Sequence, residues 1–267
     1  MQGDFRPIPF LGTYYYLLNA NEPPLDDARV RRALGLALNK KQVVETVTRA
    51  GQQPARSYVP AGISRYVDYR PALCEPYDPE KAGRLLAEAG YPGGRGMPRL
   101  EILYNTSEAH KAIAELIQSQ WKRNLGIDVS LANQEWAAYL VATRKQNYQV
   151  ARAAWIGDYL DPNTFLDMWV TGGTHNHTGW SNPEYDRLID AAQKEPDTRK
   201  RMAYFHQAER ILMDEMPIIP IYSYVTQSMV RPYVRGFYQN IQDVHPLKYL
   251  RIDPEEKARV LAEEGLE

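Results

Sequence analysis

The fold class is decided by residues 127–159, which read IDVSLANQEWAAYLVATRKQNYQVARAAWIGDY. An alternating run at 127–131 predicts a strand, and apolar residues at helical spacing over 136–145 predict a helix. The short apolar run at 149–155 predicts a second, buried strand. The order strand, helix, strand indicates an α/β layer, around which the rest of the chain is arranged.

The same alternation extends along the chain on both sides of this stretch. Asp or Asn before Pro is a typical helix start, and several such pairs are present. The further predicted elements are strands over 5–18, 100–104, 216–224 and 244–252, and helices from Asp26 or Asp27, Asp78, Ser107, Asp161, Asn182, Asp197 and Asp253. The proline-rich segment 51–79 is too irregular for a helix and too long for an idle loop, so we expect it to wrap over the surface.

Composition excludes several classes of protein. The 267 residues suffice for one large domain or two small ones, and 44% of them are hydrophobic, as in average globular chains. The 32 Lys and Arg residues balance 33 Asp and Glu residues, which predicts no nucleic-acid partner. No run approaches the ~18–20 apolar residues of a membrane span, so no membrane insertion is predicted. The N-terminus shows no signal peptide, and Cys74 is the single cysteine.

The sequence lacks the short motifs of the common enzyme classes. It contains no Gly-x-Ser-x-Gly, no His-Glu-x-x-His, no phosphate-binding loop and no dinucleotide fingerprint. We therefore predict a protein that is not an enzyme and needs no cofactor. One alternative is a metal-dependent hydrolase with His175, His177 and Asp158 as ligands of zinc or copper. Polar loop histidines are the simpler interpretation, so no metal site is predicted.

An aspartate follows the predicted strand 149–155 at a position that suits ligand binding. Arg152 and Ala154 point to one face of that strand, and Trp155 points to the other. Asp158 lies just past the strand's end, where ligands of α/β sheets usually bind. Between its aromatic neighbours it would accept a hydrogen bond from a ligand's ammonium group. It would equally make a turn or cap the following helix, and the residues alone leave both interpretations open.

Four stretches of the sequence resemble the oligopeptide-binding proteins of bacterial ABC importers, which are large extracytoplasmic solute-binding proteins. The stretches keep the family's order and spacing with small gaps, and the first closely matches its signature region. They are PPLDDARVRRAL at 23–34, LYNTSEAHK at 103–111 continuing through WKRNLGI at 121–127 to NQEW at 133–136, VARAAWIGD at 150–158 with Asp161-Pro162, and IYSYV at 221–225 with VRP at 230–232. The resemblance reaches to about residue 253 but covers only the C-terminal half of a family member.

The resemblance implies an α/β fold and a division of the chain. The fold would be the C-terminal lobe of a two-lobed periplasmic-binding-protein-like fold, a mixed sheet flanked by helices, with the opposing lobe largely absent. The parts would be an entry or hinge strand at 1–18, the ligand-binding lobe at 19–230, a returning hinge segment with a strand of the other lobe at 231–253, and a charged terminal helix at 254–267. The implied partners are short peptides, an ABC permease and the missing N-terminal lobe. The implied location is extracytoplasmic, either periplasmic or anchored as a lipoprotein.

The resemblance also implies individual binding residues. Asp158 matches the aspartate that holds a peptide's α-ammonium group, and the strand around Ala154 and Ile156 would pair with the peptide backbone. Trp155 would wall a side-chain pocket. The groups that meet peptide C-termini at different lengths match Arg152, Arg144, His110 and Arg49, and further contacts match Asn105 and Tyr224.

Two positions depart from the family's pattern, and other functions stay open. Arg49 stands where the best-matching relatives carry lysine, and Ile156 is bulkier or less polar than the residue they carry. Relatives of this class also bind murein peptides, nickel complexes, haem or sugars, among which Asp158 favours an amine-bearing ligand. A lobe that has lost transport would instead be an interaction module that binds another protein.

Overall fold

The computed structural model describes residues 5–265, with the backbone alone for Arg6. Its strands are β1 (Phe5–Leu18), β2 (Gln53–Pro54), β3 (Leu100–Asn105), β4 (Val129–Gln134), β5 (Val150–Ile156), β6 (Ile218–Met229), β7 (Val234–Arg235) and β8 (Arg251–Ile252). Its helices are α1 (Ala28–Leu36), α2 (Lys40–Gln42), α3 (Pro79–Glu88), α4 (Glu108–Leu125), α5 (Trp136–Arg144), α6 (Asn163–Leu166), α7 (Pro183–Lys194), α8 (Thr198–Glu215) and α9 (Pro254–Glu264). Within 5–265, no helix combines the length and apolar character that crossing a membrane requires.

A mixed sheet of six strands forms the centre of the molecule, in the order β2-β6-β1-β5-β3-β4. β3 pairs in parallel with β4 and β5, whereas β1 pairs antiparallel with β5 and β6. α4 leads outward from β3 to β4, and α5 leads back from β4 to β5. Right-handed crossovers therefore place these two helices on opposite faces of the sheet. The predicted mixed sheet flanked by helices is confirmed.

β1 is the strand on which both faces of the core are assembled. Its consecutive residues Tyr14, Tyr15 and Tyr16 are all buried, and the alternation of a strand sends them to opposite faces. Tyr14 stacks on Tyr222 with ring centroids 4.7 Å apart. Tyr15 meets Trp169 edge-on at 5.8 Å on the other face. Apolar surface on both faces is typical of a strand in the middle of a covered sheet.

The proline-rich segment 51–79 is fastened to α8 by a buried carboxylate. Glu209 of α8 is fully buried. Its oxygens accept hydrogen bonds from the backbone N–H groups of Val59 and Ala72 at 2.8 and 2.7 Å, and from the Tyr69 hydroxyl at 2.6 Å. Burial nevertheless raises the pKa of Glu209 to about 7. The segment that we expected to wrap over the surface is thus held at three points by one side chain.

Most predicted helix starts are confirmed by capping hydrogen bonds. Asp27, rather than Asp26, caps α1 by accepting from the N–H of Arg29 at 2.8 Å. The predicted caps of α3, α7, α8 and α9 accept backbone N–H groups in the same way, and they are Asp78, Asn182, Asp197 and Asp253. Ser107 precedes α4, but its hydroxyl makes no capping hydrogen bond.

One predicted strand is wrong, and another is displaced. Of the strand predicted over 244–252, only Arg251–Ile252 is extended as β8, after a 3₁₀ turn at Leu247–Tyr249. Pro246 precedes that turn, and proline has no N–H group to offer a strand ladder. β4 begins at Val129, two residues later than predicted.

The C-terminal residues form a small unit beyond the main sheet. β7 and β8 pair antiparallel as a second sheet, and Asp253, the cap of α9, forms an ion pair with Arg235 at 3.1 Å. Leu247, Tyr249 and Ile252 are more than half exposed in this unit. The predicted divisions at 1–18 and 254–267 extend into residues 1–4 and 266–267, which lie outside the described residues.

Replacing Glu209 by Gln should lower the free energy of unfolding by about 1–3 kcal/mol. The NH2 group of the new amide cannot accept a hydrogen bond, so one of the buried donors that Glu209 satisfies is left unpaired. The folded-state pKa of Glu209 lies above the ordinary value of 4.5. Its stabilising contribution is therefore full below pH 4.5 and is lost as the pH rises through about 7. The penalty of the substitution should be larger at pH 6 than at pH 8 in urea unfolding.

The matched control is Glu88→Gln, which changes an exposed carboxyl on α3. It should leave the free energy of unfolding nearly the same at both pH values. A Glu209→Gln penalty that does not vary between pH 6 and pH 8 would contradict the raised pKa.

Candidate functional site

The hydrogen bonds between β1 and β5 determine which main-chain groups of β5 are available. At one end, the N–H of Asn19 donates to the carbonyl of Gln149 at 2.9 Å, and at the other end the N–H of Gly157 donates to the carbonyl of Leu11 at 2.7 Å. Directly opposed residues of an antiparallel pair alternate between hydrogen-bonded and non-hydrogen-bonded. Odd-numbered residues of β5 therefore bond to β1, and even-numbered residues turn their main-chain groups to the other edge.

That other edge of β5 is paired over only part of its length. β3 pairs with β5 at Val150 and Ala151 and then diverges. The Tyr139 hydroxyl donates to the carbonyl of Arg152. The main-chain groups of Ala154 and Ile156 point to the same edge beyond this bond, where no strand of the described chain pairs with them. The C-terminal part of β5 is thus an open strand edge.

Asp158 follows this open edge with an exposed carboxylate. Within residues 5–265, no group donates a hydrogen bond to its side chain, and it forms no ion pair. Its backbone N–H donates to the Thr164 hydroxyl at 3.1 Å. Asp161, rather than Asp158, accepts the N–H of Asn163 ahead of α6, at 2.9 Å. The geometry therefore supports a free carboxylate at the strand end and does not support a helix cap at Asp158.

The loop that carries Asp158 is held from two sides. Arg201 of α8 forms a bidentate ion pair with Asp161 at 2.6 and 2.9 Å. The buried Thr164 hydroxyl accepts the Asp158 N–H and also the indole N–H of Trp155, the latter at 3.4 Å. One hydroxyl thus links two of the residues that the sequence predicts for the site.

A second set of predicted residues meets on the face of the sheet that carries Tyr14. The Arg152 guanidinium donates to the side-chain oxygens of Asn105 and Tyr224, both at 3.4 Å. It lies over the Tyr14 ring, 4.9 Å from the ring centroid. Nδ1 of His110 is 3.3 Å from the Tyr14 hydroxyl. The structure therefore brings Asn105, His110, Arg152 and Tyr224 together, and we name these four residues with Tyr14 the arginine cluster.

The arginine cluster contains a positive charge without a matching carboxylate. No Asp or Glu of residues 5–265 pairs with the half-buried Arg152, and its buried Nε has no hydrogen-bond partner. Two long hydrogen bonds and an aromatic ring replace only part of the hydration that the guanidinium loses. A carboxylate would fit this site, because it can accept from a guanidinium with two oxygens at once.

His110 contributes a neutral group to the cluster. Burial, together with the positive charge of Arg152, lowers the pKa of the His110 imidazole to about 4. The imidazole is therefore uncharged near neutral pH in the free chain. The fixed charge of the cluster comes from Arg152, and the surrounding hydroxyl, amide and imidazole groups supply neutral hydrogen bonds.

A cavity of about 460 Å³ opens beside Trp155 on the opposite face of β5, next to Tyr15. α5 lines one side of it, with Trp136 stacked on Tyr139 at a centroid distance of 5.9 Å. Residues between 168 and 177 line another side, and the Trp155 ring meets His175 at 5.4 Å. Arg144, another predicted site residue, is exposed on the cavity wall.

One predicted site residue lies apart from the arginine cluster, and one alternative function lacks its ligand set. Arg49 is exposed at the end of the π-helical turn Val43–Thr48, in the left-handed conformation (φ 53°), and it is not part of the arginine cluster. The described residues contain no group of three His, Cys, Asp or Glu side chains that could hold a metal ion. His175, His177 and Asp158 therefore do not form the ligand set of the hydrolase alternative.

Sequence reasoning missed Tyr14, Thr164 and Trp136 as parts of the site. The sequence predicts Tyr14 only as part of a strand, although its pairing partner Ala154 shares a face with Arg152. The half-exposed indole of Trp136 lines the cavity, which the sequence does not reveal. Nothing in the sequence marks Thr164, because its role depends on where the loop after β5 returns.

Comparison with known proteins identifies a family. The model of the bacterial extracellular solute-binding proteins, family 5 (middle region), matches residues 4–177. The oligopeptide-binding protein OppA of Bacillus subtilis is 37% identical over 227 residues, which are 83% of this chain and 42% of that protein. The periplasmic murein peptide-binding protein MppA of Escherichia coli is 38% identical over 247 residues, which are 91% of this chain and 46% of that protein.

Solved structures show the same fold. The unliganded, open form of a periplasmic murein tripeptide-binding protein, MppA, superposes with a TM-score of 0.86 at 36% identity, covering 94% of this chain and 50% of that one. The chain spans about half the length of the relatives it matches. The predicted family resemblance and fold class are therefore confirmed for this part of the family's architecture.

The pKa of His110 offers a direct test of the arginine cluster. An NMR titration of the free chain should place the imidazole midpoint near pH 4, with the signal assigned by its loss in His110→Asn. Arg152→Gln should raise that midpoint, because it removes one of the two causes of the lowered pKa. A midpoint at the ordinary value of 6.5 in the unmodified chain would show that His110 is neither buried nor close to Arg152.

Proposed function

Because this chain belongs to the bacterial extracellular solute-binding proteins of family 5, we propose that it is the peptide-binding lobe of a receptor that delivers oligopeptides to an ABC importer. The receptor would bind its ligand without converting it. The observation that carries the proposal is the open edge of β5, which runs between an unpaired carboxylate at Asp158 and an unpaired guanidinium at Arg152.

Backbone pairing would supply affinity that does not depend on peptide sequence. The main-chain groups of Ala154 and Ile156 would hydrogen-bond an extended peptide as an added strand, since every peptide carries the same N–H and C=O groups. The Trp155 side chain would form a wall for one of the peptide's side chains. Water would fill the space that smaller side chains leave, because bridging waters replace direct hydrogen bonds at little cost.

The two ends of the peptide would be recognised by opposite charges. Asp158 would accept hydrogen bonds from the α-ammonium group, and Arg152 of the arginine cluster would bind the terminal carboxylate. Extended chain from Arg152 to Asp158 is ~20 Å long, so the pair would suit peptides of about three to five residues. Arg144, His110 and Arg49 would meet the carboxylates of other peptide lengths.

The parts and partners of the receptor follow from the same proposal. Residues 19–230 would form the ligand-binding lobe, residues 1–18 and 231–253 the hinge connections, and 254–267 a terminal helix. The exposed side chains of Leu247, Tyr249 and Ile252 would then lie against the N-terminal lobe. The full receptor would act outside the cytoplasm, next to an ABC permease.

A murein peptide is the second candidate ligand. The Escherichia coli relative with 38% identity is named a murein peptide-binding protein. The geometry does not separate the two ligand classes, because a free ammonium group and a carboxylate are present in both. Direct comparison of a murein tripeptide with tri-alanine would rank them.

Removing the carboxylate of Asp158 should weaken the binding of peptides with a free amino terminus. In calorimetric titrations with tri-alanine, Asp158→Asn should lose about 1.5–3 kcal/mol of binding free energy, the typical value of a charge-assisted hydrogen bond. N-acetylated tri-alanine should bind the unmodified chain as weakly as the free peptide binds the variant.

The matched control for that experiment is Asp214→Asn, which changes an exposed carboxyl on α8 and should leave the affinity unchanged. Binding that is indifferent to both acetylation and Asp158→Asn would remove the ammonium assignment and leave only the family's broader ligand range.

Amidation of the peptide's C-terminus should test the arginine cluster. Among alanine peptides of two to five residues, the length whose carboxylate meets Arg152 should lose affinity by about tenfold or more on amidation, because a bidentate ion pair is lost. Arg152→Gln should abolish this loss at that length alone, whereas Arg84→Gln on the surface of α3 should preserve it. If amidation lowers the affinity equally at every peptide length, and Arg152→Gln does not change this loss, the peptide's terminal carboxylate binds somewhere other than Arg152.

A further inference from the structure

A buried hydroxyl next to the arginine cluster has no role in the proposed function. It belongs to Tyr16, the β1 residue directly opposite Arg152 in the register of the two strands. Directly opposed residues of an antiparallel pair have their side chains on the same face, and they lie closest where, as here, the pair is not hydrogen-bonded. The Tyr16 side chain is therefore a neighbour of Arg152 on the face that carries Tyr14.

Both residues of this pair contain a buried polar atom without a partner. The Tyr16 side chain is fully buried, and its hydroxyl forms no hydrogen bond within the described chain. The Nε atom of Arg152 is likewise buried and without a partner there. Nearly all buried polar groups in folded proteins are hydrogen-bonded. Two such atoms on directly opposed residues therefore call for a common explanation.

The two atoms are chemically complementary. Nε of a guanidinium only donates, whereas a tyrosine hydroxyl accepts as well as donates. Burial raises the pKa of the Tyr16 hydroxyl far above its ordinary value, although the positive charge of Arg152 opposes this shift. The hydroxyl is therefore neutral at physiological pH. The Tyr14 ring lies beside both groups, 4.9 Å from the guanidinium carbon and 6.2 Å from the centre of the Tyr16 ring.

The other two nitrogens of the guanidinium have only weak partners. Nη1 and Nη2 of Arg152 donate to the side-chain oxygens of Asn105 and Tyr224, both at 3.4 Å, beyond the usual length of such bonds. A carboxylate can approach a guanidinium end-on, at both Nη atoms, or side-on, at Nε and one Nη. The direction of approach therefore depends on which nitrogens are already held.

Resting on the proposed function, we propose that Tyr16 is a positioning residue for the recognition of the peptide's terminal carboxylate. Its hydroxyl would hold Nε of Arg152 through one bridging water molecule, because a water joins polar atoms that are too far apart for a direct bond. This bridge would close the side-on approach. The carboxylate would then bind end-on at Nη1 and Nη2, in place of the weak bonds to Asn105 and Tyr224. Tyr16 itself would not touch the peptide.

Tyr16→Phe removes the hydroxyl and keeps the ring. The alanine peptide whose amidation effect depends on Arg152 is titrated by calorimetry together with its amidated form. Amidation should weaken binding about tenfold in the unmodified chain but only about threefold in Tyr16→Phe, because the guanidinium is no longer held. A general disturbance of the structure would weaken both peptides by the same factor and leave their ratio unchanged.

The matched control is Tyr185→Phe. Tyr185 is a fully buried tyrosine of α7 whose hydroxyl donates to the carbonyl of Leu166 at 2.5 Å, away from the arginine cluster. This variant loses a buried hydrogen bond and should be less stable, yet amidation should still weaken peptide binding about tenfold.

The bridge can also be measured without a peptide. In the free chain, the Nε–H signal of Arg152, assigned by its loss in Arg152→Gln, should show a nuclear Overhauser contact to a bound water molecule. Tyr16→Phe should remove this contact and make the proton exchange with solvent about tenfold faster. Tyr185→Phe should leave both unchanged.

The outcomes separate the two proposals. If amidation weakens binding at no peptide length, carboxylate recognition by Arg152 is wrong, and the NMR measurement still decides whether Tyr16 holds Nε. If amidation still weakens binding about tenfold in Tyr16→Phe, the positioning role is overturned and the proposed function stands. An Nε–H signal without a water contact, whose exchange rate is the same in Tyr16→Phe, overturns the bridge itself.

Discussion

The rest of the site depends on which residues of β5 form hydrogen bonds to β1. These are the odd-numbered residues, so the even-numbered residues turn their main-chain groups to the other edge. Bonds at both ends of the pair, from Asn19 to Gln149 and from Gly157 to Leu11, fix one register. A shift by one residue would turn the main-chain groups of Ala154 and Ile156 into the sheet and exchange the faces of Arg152 and Trp155. The open edge, the arginine cluster and the cavity therefore exist together or not at all.

This register is supported by groups that are fully paired, in contrast to the groups at the site. Glu209 accepts three hydrogen bonds in the core, and Asp161 binds Arg201 with both oxygens. Asp158 and Arg152, by contrast, have no charged partner in the described chain. An unpaired charge held by a rigid frame costs stability in the free protein, and a ligand of opposite charge recovers that cost on binding. The residues that support the register are therefore paired, whereas the two charged residues at the site are not.

The sequence predicted the elements better than it predicted their mutual placement. Periodicity and capping residues located β1, β5 and most helices, because those signals are local. The strand predicted over 244–252 failed because Pro246 starts a turn within it. The proximity of Asn105, His110, Arg152 and Tyr224 came from the family resemblance. No spacing rule brings together residues on four separate elements.

The details of the site that the sequence could not supply are those that depend on packing across elements. The packing around Ile156 is one such detail. Gly12 lies opposite, where a Cβ atom would approach the Cδ1 atom of Ile156 to 2.4 Å. Thr164 likewise gains its role only because its loop returns to Trp155 and Asp158.

A strand edge with a negative charge at one end and a positive charge at the other distinguishes the two directions of a peptide. Main-chain hydrogen bonds alone would allow an added strand to run either way, because N–H and C=O groups alternate in both directions. In the proposed function, Asp158 would favour an ammonium group at the C-terminal end of β5, and Arg152 would favour a carboxylate towards its start. Once the direction of the peptide is fixed, each of its side chains would point to a defined face of the sheet.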